Sequence, residues 1–220
     1  MSKIQITLCF SLIILLYTIF VGYLLHDINK KNEKYYELNM DYHRIIDDNK
    51  RISKNNYILK TTNNILVKKL ELKKYIMSVN PNVNESDINE TVNAIYEYGI
   101  YIGVDPLLLT SIIEVESTFY TDAQSNKGAM GLMQLTSITK THIELKEYNK
   151  FVRLNSPVQR NISRGTLYFG ELLNKYSGDI KSSLIAYHIG PYAFEKHGIT
   201  KAGAIYVDKV FDRYDKVTNM

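Results

Sequence analysis

A chain of 220 residues has room for one ordinary domain with accessories, and its single cysteine, Cys9, excludes an intramolecular disulfide framework. The formal net charge of +4 would suit an anionic partner, yet the excess is confined to residues 26–80, with 12 basic against 7 acidic side chains, while residues 81–220 hold 14 against 16. A nucleic-acid-binding domain carries positive charge in its folded part, so this distribution speaks against nucleic acid and for an anionic lipid or envelope polymer.

The first element, ITLCFSLIILLYTIFVGYLL at residues 6–25, is uncharged and almost wholly apolar. At 1.5 Å rise per residue, about 20 such residues span a bilayer core. The run is too long for a signal-peptide core and no A-x-A-like cleavage site follows it, so residues 1–26 read as an uncleaved transmembrane anchor. Lys3 on one side and Lys30, Lys31 and Lys34 on the other give no clear orientation.

Residues 27–80 are polar and free of Gly, with a seven-residue repeat. Leu38, Ile45, Ile52, Leu59 and Leu66 occupy one heptad position; Tyr35, Tyr42, Asn49, Asn56, Asn63 and Leu70 occupy the other. That spacing predicts a helical stalk. Successive Asn residues in the seam allow only a weak parallel homo-oligomer, and a single helix serving as a spacer fits the pattern as well.

PNVNESD at residues 81–87 marks the expected boundary of a third segment, 81–220. Helical spacing of apolar residues predicts helices over 87–102, 106–117, 130–141, 158–175, 179–190 and 200–216, with strands short or absent. Within 106–117, Glu114 and Glu116 are two residues apart and point about 200° away from one another. Glu114 falls beside Thr110 and Ser111, where a solvated carboxylate is expected. Glu116 follows Ile112 and Ile113 on the apolar side, where burial would push its pKa upward toward a value useful to a general acid. From the helix pattern alone, a partly buried Glu capping a loop amide fits equally well. Asp122 and Glu171 are expected at the surface.

E-S-x-F at residues 116–119, S-x-x-G-A-x-G-L-M-Q at 125–134, N-I-x-x-G-x-x-Y at 161–168, A-Y-H-I-G-P at 186–191 and Y-V-x-x-V at 206–210 together resemble the soluble-lytic-transglycosylase-type domain, a bacterial lysozyme-like family acting on peptidoglycan. The resemblance covers residues 105–214. It implies a mainly α fold of the lysozyme-like α+β superfamily with little strand, and Glu116 as sole catalytic acid. Ser117, Ser125, Gly131, Met133, Gln134, Tyr187, His188 and Tyr206 would line or neighbour the glycan groove. Tyr168 falls in a matching helix, with core packing the more ordinary role. His188 stands where the family has Asn, and Ser137 where a Pro is common.

The implied reaction cleaves the bond from N-acetylmuramic acid to N-acetylglucosamine without water and leaves a 1,6-anhydro ring, needing no cofactor. His142, His188 and His197 lack metal-site spacing. Two alternatives remain beside this expectation: a hydrolytic muramidase, and a non-catalytic peptidoglycan-binding scaffold with His188 as its sign. The expected partners are peptidoglycan glycan strands and the cell membrane. Because peptidoglycan lies outside that membrane, the amino terminus would be cytoplasmic and the catalytic segment extracytoplasmic.

Overall fold

The computed structural model describes residues 3–145 and 156–220. It contains helices α1 (Lys3–Val79), α2 (Glu85–Ile102), α3 (Pro106–Ser117), α4 (Ser137–Leu145), α5 (Pro157–Lys175), α6 (Ile180–Ile189), α7 (Pro191–His197) and α8 (Lys201–Thr218). Among the described residues there is no strand, only two isolated bridges, Gln124 with Met130 and Met130 with Leu135. The mostly helical expectation holds.

The chain divides into two compact units, Met1–Asn63 and Asn64–Met220. The first consists of the earlier part of α1. That helix is long and apolar enough to cross a membrane, with a window of mean hydropathy 2.5 and nothing covering it. Farther along, Leu38, Ile45, Ile52 and Leu59 are exposed, while ion pairs such as Arg44 with Asp41 and Arg51 with Asp48 run along one turn of helix. Exposed pairs at this spacing add only about 0.2–0.5 kcal/mol each.

The second unit begins at Asn64, well before the boundary expected at residue 81. Leu72 and Ile76, both 0% exposed, belong to the same apolar core as Ile95, Leu109, Ile112, Ile162, Phe169 and Val210. The polar composition of residues 27–80 hides this, because only the last turns of α1 have a buried face. Helix starts follow local chemistry. The side chain of Asn84 accepts from the Asp87 amide, Asp105 from Leu107 ahead of Pro106, Ser156 from Gln159, and Thr200 from Gly203. Within the unit, α2 packs on α5, and α8 packs on both α3 and α6, which places α8 beside the end of α3 and hence beside Glu116.

Two expectations need correction. The helix expected over 130–141 starts only at Ser137; the preceding residues turn through left-handed conformations at Gly131 (φ 78°) and Gln134 (φ 45°), which no helix accommodates. After α6, Gly190 takes φ 87° and Pro191 opens a separate short helix, α7, which the periodicity did not resolve.

Candidate active site

The end of α3 sets the site. Its apolar face, Leu109, Ile112 and Ile113, is fully buried, so the helix cannot rotate, and Glu116 is held in its final turn. The chain then leaves the helix through two left-handed non-glycine residues, Thr118 (φ 51°) and Phe119 (φ 61°). Such a conformation costs free energy unless the surroundings hold it. Phe119 is buried in the core, and the Thr118 carbonyl accepts from Asn80 Nδ2 at 2.9 Å.

Glu116 lines a recess of 140 Å3 with Val115, His188, Ala202, Ile205, Tyr206 and Lys209. Among these lining residues Glu116 is the sole carboxyl group. Burial pushes its pKa from 4.5 up to about 7, while the hydrogen bond from Tyr206 opposes that rise. Tyr206 Oη donates to Glu116 Oε1 at 2.7 Å. Burial, and secondarily the charge of Glu116, raise the Tyr206 and Tyr187 phenols well above the ordinary range, so both remain neutral donors. The His188 imidazole stacks on the Tyr206 ring, with centroids 4.3 Å apart and planes 12° from parallel. Burial lowers its pKa, and Lys127 and Lys209 lower it further; at neutral pH it is uncharged. Hollows of 300, 410 and 470 Å3 exist elsewhere and are not lined by Glu116. Among the described residues no group of three or more His, Cys, Asp or Glu side chains is assembled for a metal.

The structure thus brings Glu116, His188 and Tyr206 to one recess. The other expected groove residues act mainly as its framework. Tyr187 Oη donates to the Met133 carbonyl at 2.8 Å, and its ring lies against Tyr168 and Phe169. Met133 is 0% exposed; its side chain lies in the core rather than along a groove. Ser117 is also buried, its hydroxyl donating to the Ile113 carbonyl, which removes it as a ligand contact. Ser125 Oγ accepts from the Lys127 and Ala129 amides and closes the glycine-rich turn. Gln134 Nε2 donates to the Ala123 and Gly131 carbonyls, so its donors are committed internally.

Gly131 is required at its position. A Cβ there would lie 2.4 Å from Asn161 Nδ2, and Asn161 must approach because it donates to the Met130 carbonyl and accepts from the Met133 amide. Gly165 likewise leaves room for the Met133 side chain, whose Sδ would lie 2.3 Å from an added Cβ.

Glu114 departs most from expectation. It is 8% exposed, accepts from Tyr75 Oη at 2.6 Å and pairs with Arg213 Nε at 2.7 Å. The solvated role expected of it is therefore overturned: the helix face beside Thr110 and Ser111 is itself buried, beneath α8 and the end of α1. Glu171 is also less exposed than expected and bonds His142 Nε2 at 2.9 Å; Asp122 is exposed. Lys209, Ala202 and Ile205 were missed. The signal available for Lys209 was its position three residues beyond Tyr206, on the same helix face.

A phage transglycosylase, from Enterobacteria phage PRD1, is 34% identical over 87 residues, covering 40% of this chain and 30% of its own. The chain thus spans under a third of that relative's length. Among solved structures, an inactive variant of lytic transglycosylase Slt from Pseudomonas aeruginosa aligns with 22% identity and a TM-score of 0.44 over 64% of this chain and 25% of that one. The 70 kDa soluble lytic transglycosylase from Escherichia coli aligns with 18% identity and a TM-score of 0.45 over 67% and 28%. The family model for the transglycosylase SLT domain matches residues 94–215, more than half of the sequence and the stretch that carries Glu116, His188 and Tyr206. The chain belongs to the transglycosylase SLT domain family.

Proposed function

We propose that this protein is a peptidoglycan lytic transglycosylase in which Glu116 acts first as general acid and then as general base. The observation carrying the reading is a lone, partly buried carboxyl in a recess, held by a hydrogen bond from a neutral phenol, with burial pushing its pKa up to about 7. Because Tyr206 donates to Oε1, that oxygen is the acceptor of the neutral acid, and Oε2 carries the proton. Glu116 protonates the oxygen linking N-acetylmuramic acid to N-acetylglucosamine. The muramyl N-acetyl oxygen attacks the anomeric carbon as that C–O bond breaks. The Glu116 carboxylate then takes the proton from the C6 hydroxyl, whose oxygen displaces the N-acetyl oxygen and closes the 1,6-anhydro ring. The proton is returned to Glu116 and no water is consumed. Acid–base transfer of this kind contributes about 10²–10⁴-fold.

Residues 1–26 serve as a membrane anchor and the following helix as a stalk, with the amino terminus cytoplasmic and the SLT domain extracytoplasmic. The long apolar helix supports the anchor. The exposed heptad residues support weak parallel self-association.

Sacculi digested with the full chain test the catalytic reading. Products one water lighter than hydrolysed muropeptides are expected by mass spectrometry, and Glu116→Gln should abolish them. Products retaining that water would establish a hydrolase instead. Glycan binding without cleavage would favour a scaffold, a reading to which His188 over Tyr206 lends some weight.

A further inference from the structure

Three groups that the reaction scheme does not use converge on the turn holding Glu116. Tyr75, in the last turns of α1, donates to Glu114, two residues before Glu116. Asn80, 2% exposed just past the end of α1, donates to the Thr118 carbonyl, two residues after it. The same segment therefore grips the chain on both sides of Glu116. Arg213, on α8, closes the arrangement from the far side by pairing with Glu114. Tyr206 and Arg213 are seven residues apart on α8 and so lie within about 20° of one stripe. The two bonds between α3 and α8, Tyr206 to Glu116 and Arg213 to Glu114, consequently fix one relative setting of these helices. The turn needs such restraint, because Thr118 and Phe119 are both left-handed and the Ser117 hydroxyl is spent on the Ile113 carbonyl of its own helix.

We infer that Tyr75 and Asn80, both outside the residues matched by the SLT family, are positioning residues for the reaction, forming with Glu114 and Arg213 a brace that keeps Glu116 in its recess against Tyr206. The inference rests on the catalytic reading for its kinetic consequence, but its structural consequence does not. Each contact removes a freedom that would take the carboxyl toward solvent. Loss of Tyr75 Oη leaves Glu114 tied to Arg213 alone. Loss of Asn80 Nδ2 frees the Thr118 carbonyl, and the left-handed pair can relax. In both cases Glu116 becomes better hydrated and its bond from Tyr206 is lost part of the time.

The test uses the detergent-solubilised full chain, its Tyr75→Phe, Asn80→Ala and Tyr75→Phe/Asn80→Ala variants, and Lys74→Met as an exposed control on the same segment. Turnover is measured on soluble uncrosslinked peptidoglycan strands. The titration of Glu116 is followed by carboxyl 13C chemical shifts, assigned by difference with Glu116→Gln. The charged and titratable groups facing that carboxyl are Tyr206 and Lys209 from α8 and Tyr187 and His188 from α6, and all are retained. Each single variant should lose about 5–10-fold in kcat with KM within about twofold of wild type, as expected for a residue that does not touch substrate. In each, the Glu116 midpoint should move from about 7 toward 4.5, and Lys74→Met should change neither quantity. Wild-type kcat and an unmoved midpoint in folded Tyr75→Phe would overturn the brace. So would a kcat loss that tracks only a lowered melting temperature with the midpoint still near 7. If Asn80→Ala does not fold, Tyr75→Phe decides the matter, since it removes a single hydroxyl. A wild-type chain without turnover would defeat the catalytic proposal, while a shifted midpoint in Tyr75→Phe would still support the brace.

Discussion

A carboxyl that titrates at about 7 when folded and 4.5 when exposed binds its proton more tightly in the native state. Stability therefore carries no penalty from Glu116 below pH 4.5, loses ground as pH rises between the two values, and carries the full penalty above 7. Glu116→Gln removes that penalty. It should raise stability by up to roughly 3 kcal/mol above pH 7 and by little below pH 4.5, as read by thermal melts at both pH values, while abolishing turnover. The rate limb governed by the general acid has the matching sign: activity should fall as pH rises through about 7. Tyr206→Phe removes the one contact that lowers the Glu116 pKa, so if the recess stays closed this limb should move to higher pH, as a pH–rate profile would show. The raised pKa of Glu116 agrees with its place after Ile112 and Ile113, although helix spacing alone fitted a Glu capping a loop amide equally well. The role of Glu114 was not legible, because periodicity locates a residue on a helix face without revealing what covers that face. Its two partners lie 39 residues before it and far beyond it in sequence.

At the scale of elements, the helices of the SLT domain were readable from caps and apolar spacing, and most of their starts fall within two residues of expectation. The failure at residues 130–136 has a physical cause. Met130, Leu132, Met133 and Leu135 have apolar spacing close to that of a helix, yet the left-handed residues Gly131 and Gln134 fold the segment into a turn around Asn161. Leu132, Met133 and Leu135 are buried although they lie on no helix face, Met133 packing against Gly165 of α5, while Met130 stays exposed. Gly131→Ala should accordingly be costly, since it places a methyl at positive φ and against the Asn161 amide. A loss of about 1–3 kcal/mol is expected, visible as a lowered denaturant midpoint, with Asn161→Ala showing a related loss as the Met133 amide and Met130 carbonyl lose their partner.

At the scale of the whole molecule, the limit of the folded unit matters most. Composition placed it at Pro81; burial of Leu72 and Ile76 and the division at Asn64 place it earlier. Each buried aliphatic side chain contributes about 1.5–3 kcal/mol, against a typical domain stability of about 5–15 kcal/mol. A fragment spanning 64–220 should unfold cooperatively, whereas one spanning 81–220 should melt far lower or lack a cooperative transition by circular dichroism. The N-terminal segment makes a separate prediction: deletion of residues 6–25 should move the protein from the membrane pellet to the supernatant after ultracentrifugation.

The solitary carboxyl of the recess also bears on how turnover is detected. Under the proposed reaction Glu116, the sole carboxyl among the residues lining the recess, serves as both acid and base, so the cleaved sugar would close on itself and present no free aldehyde. Colorimetric reagents that count aldehydes would stay blank while a turbid wall suspension clears, and that mismatch would itself be a signature of the chemistry.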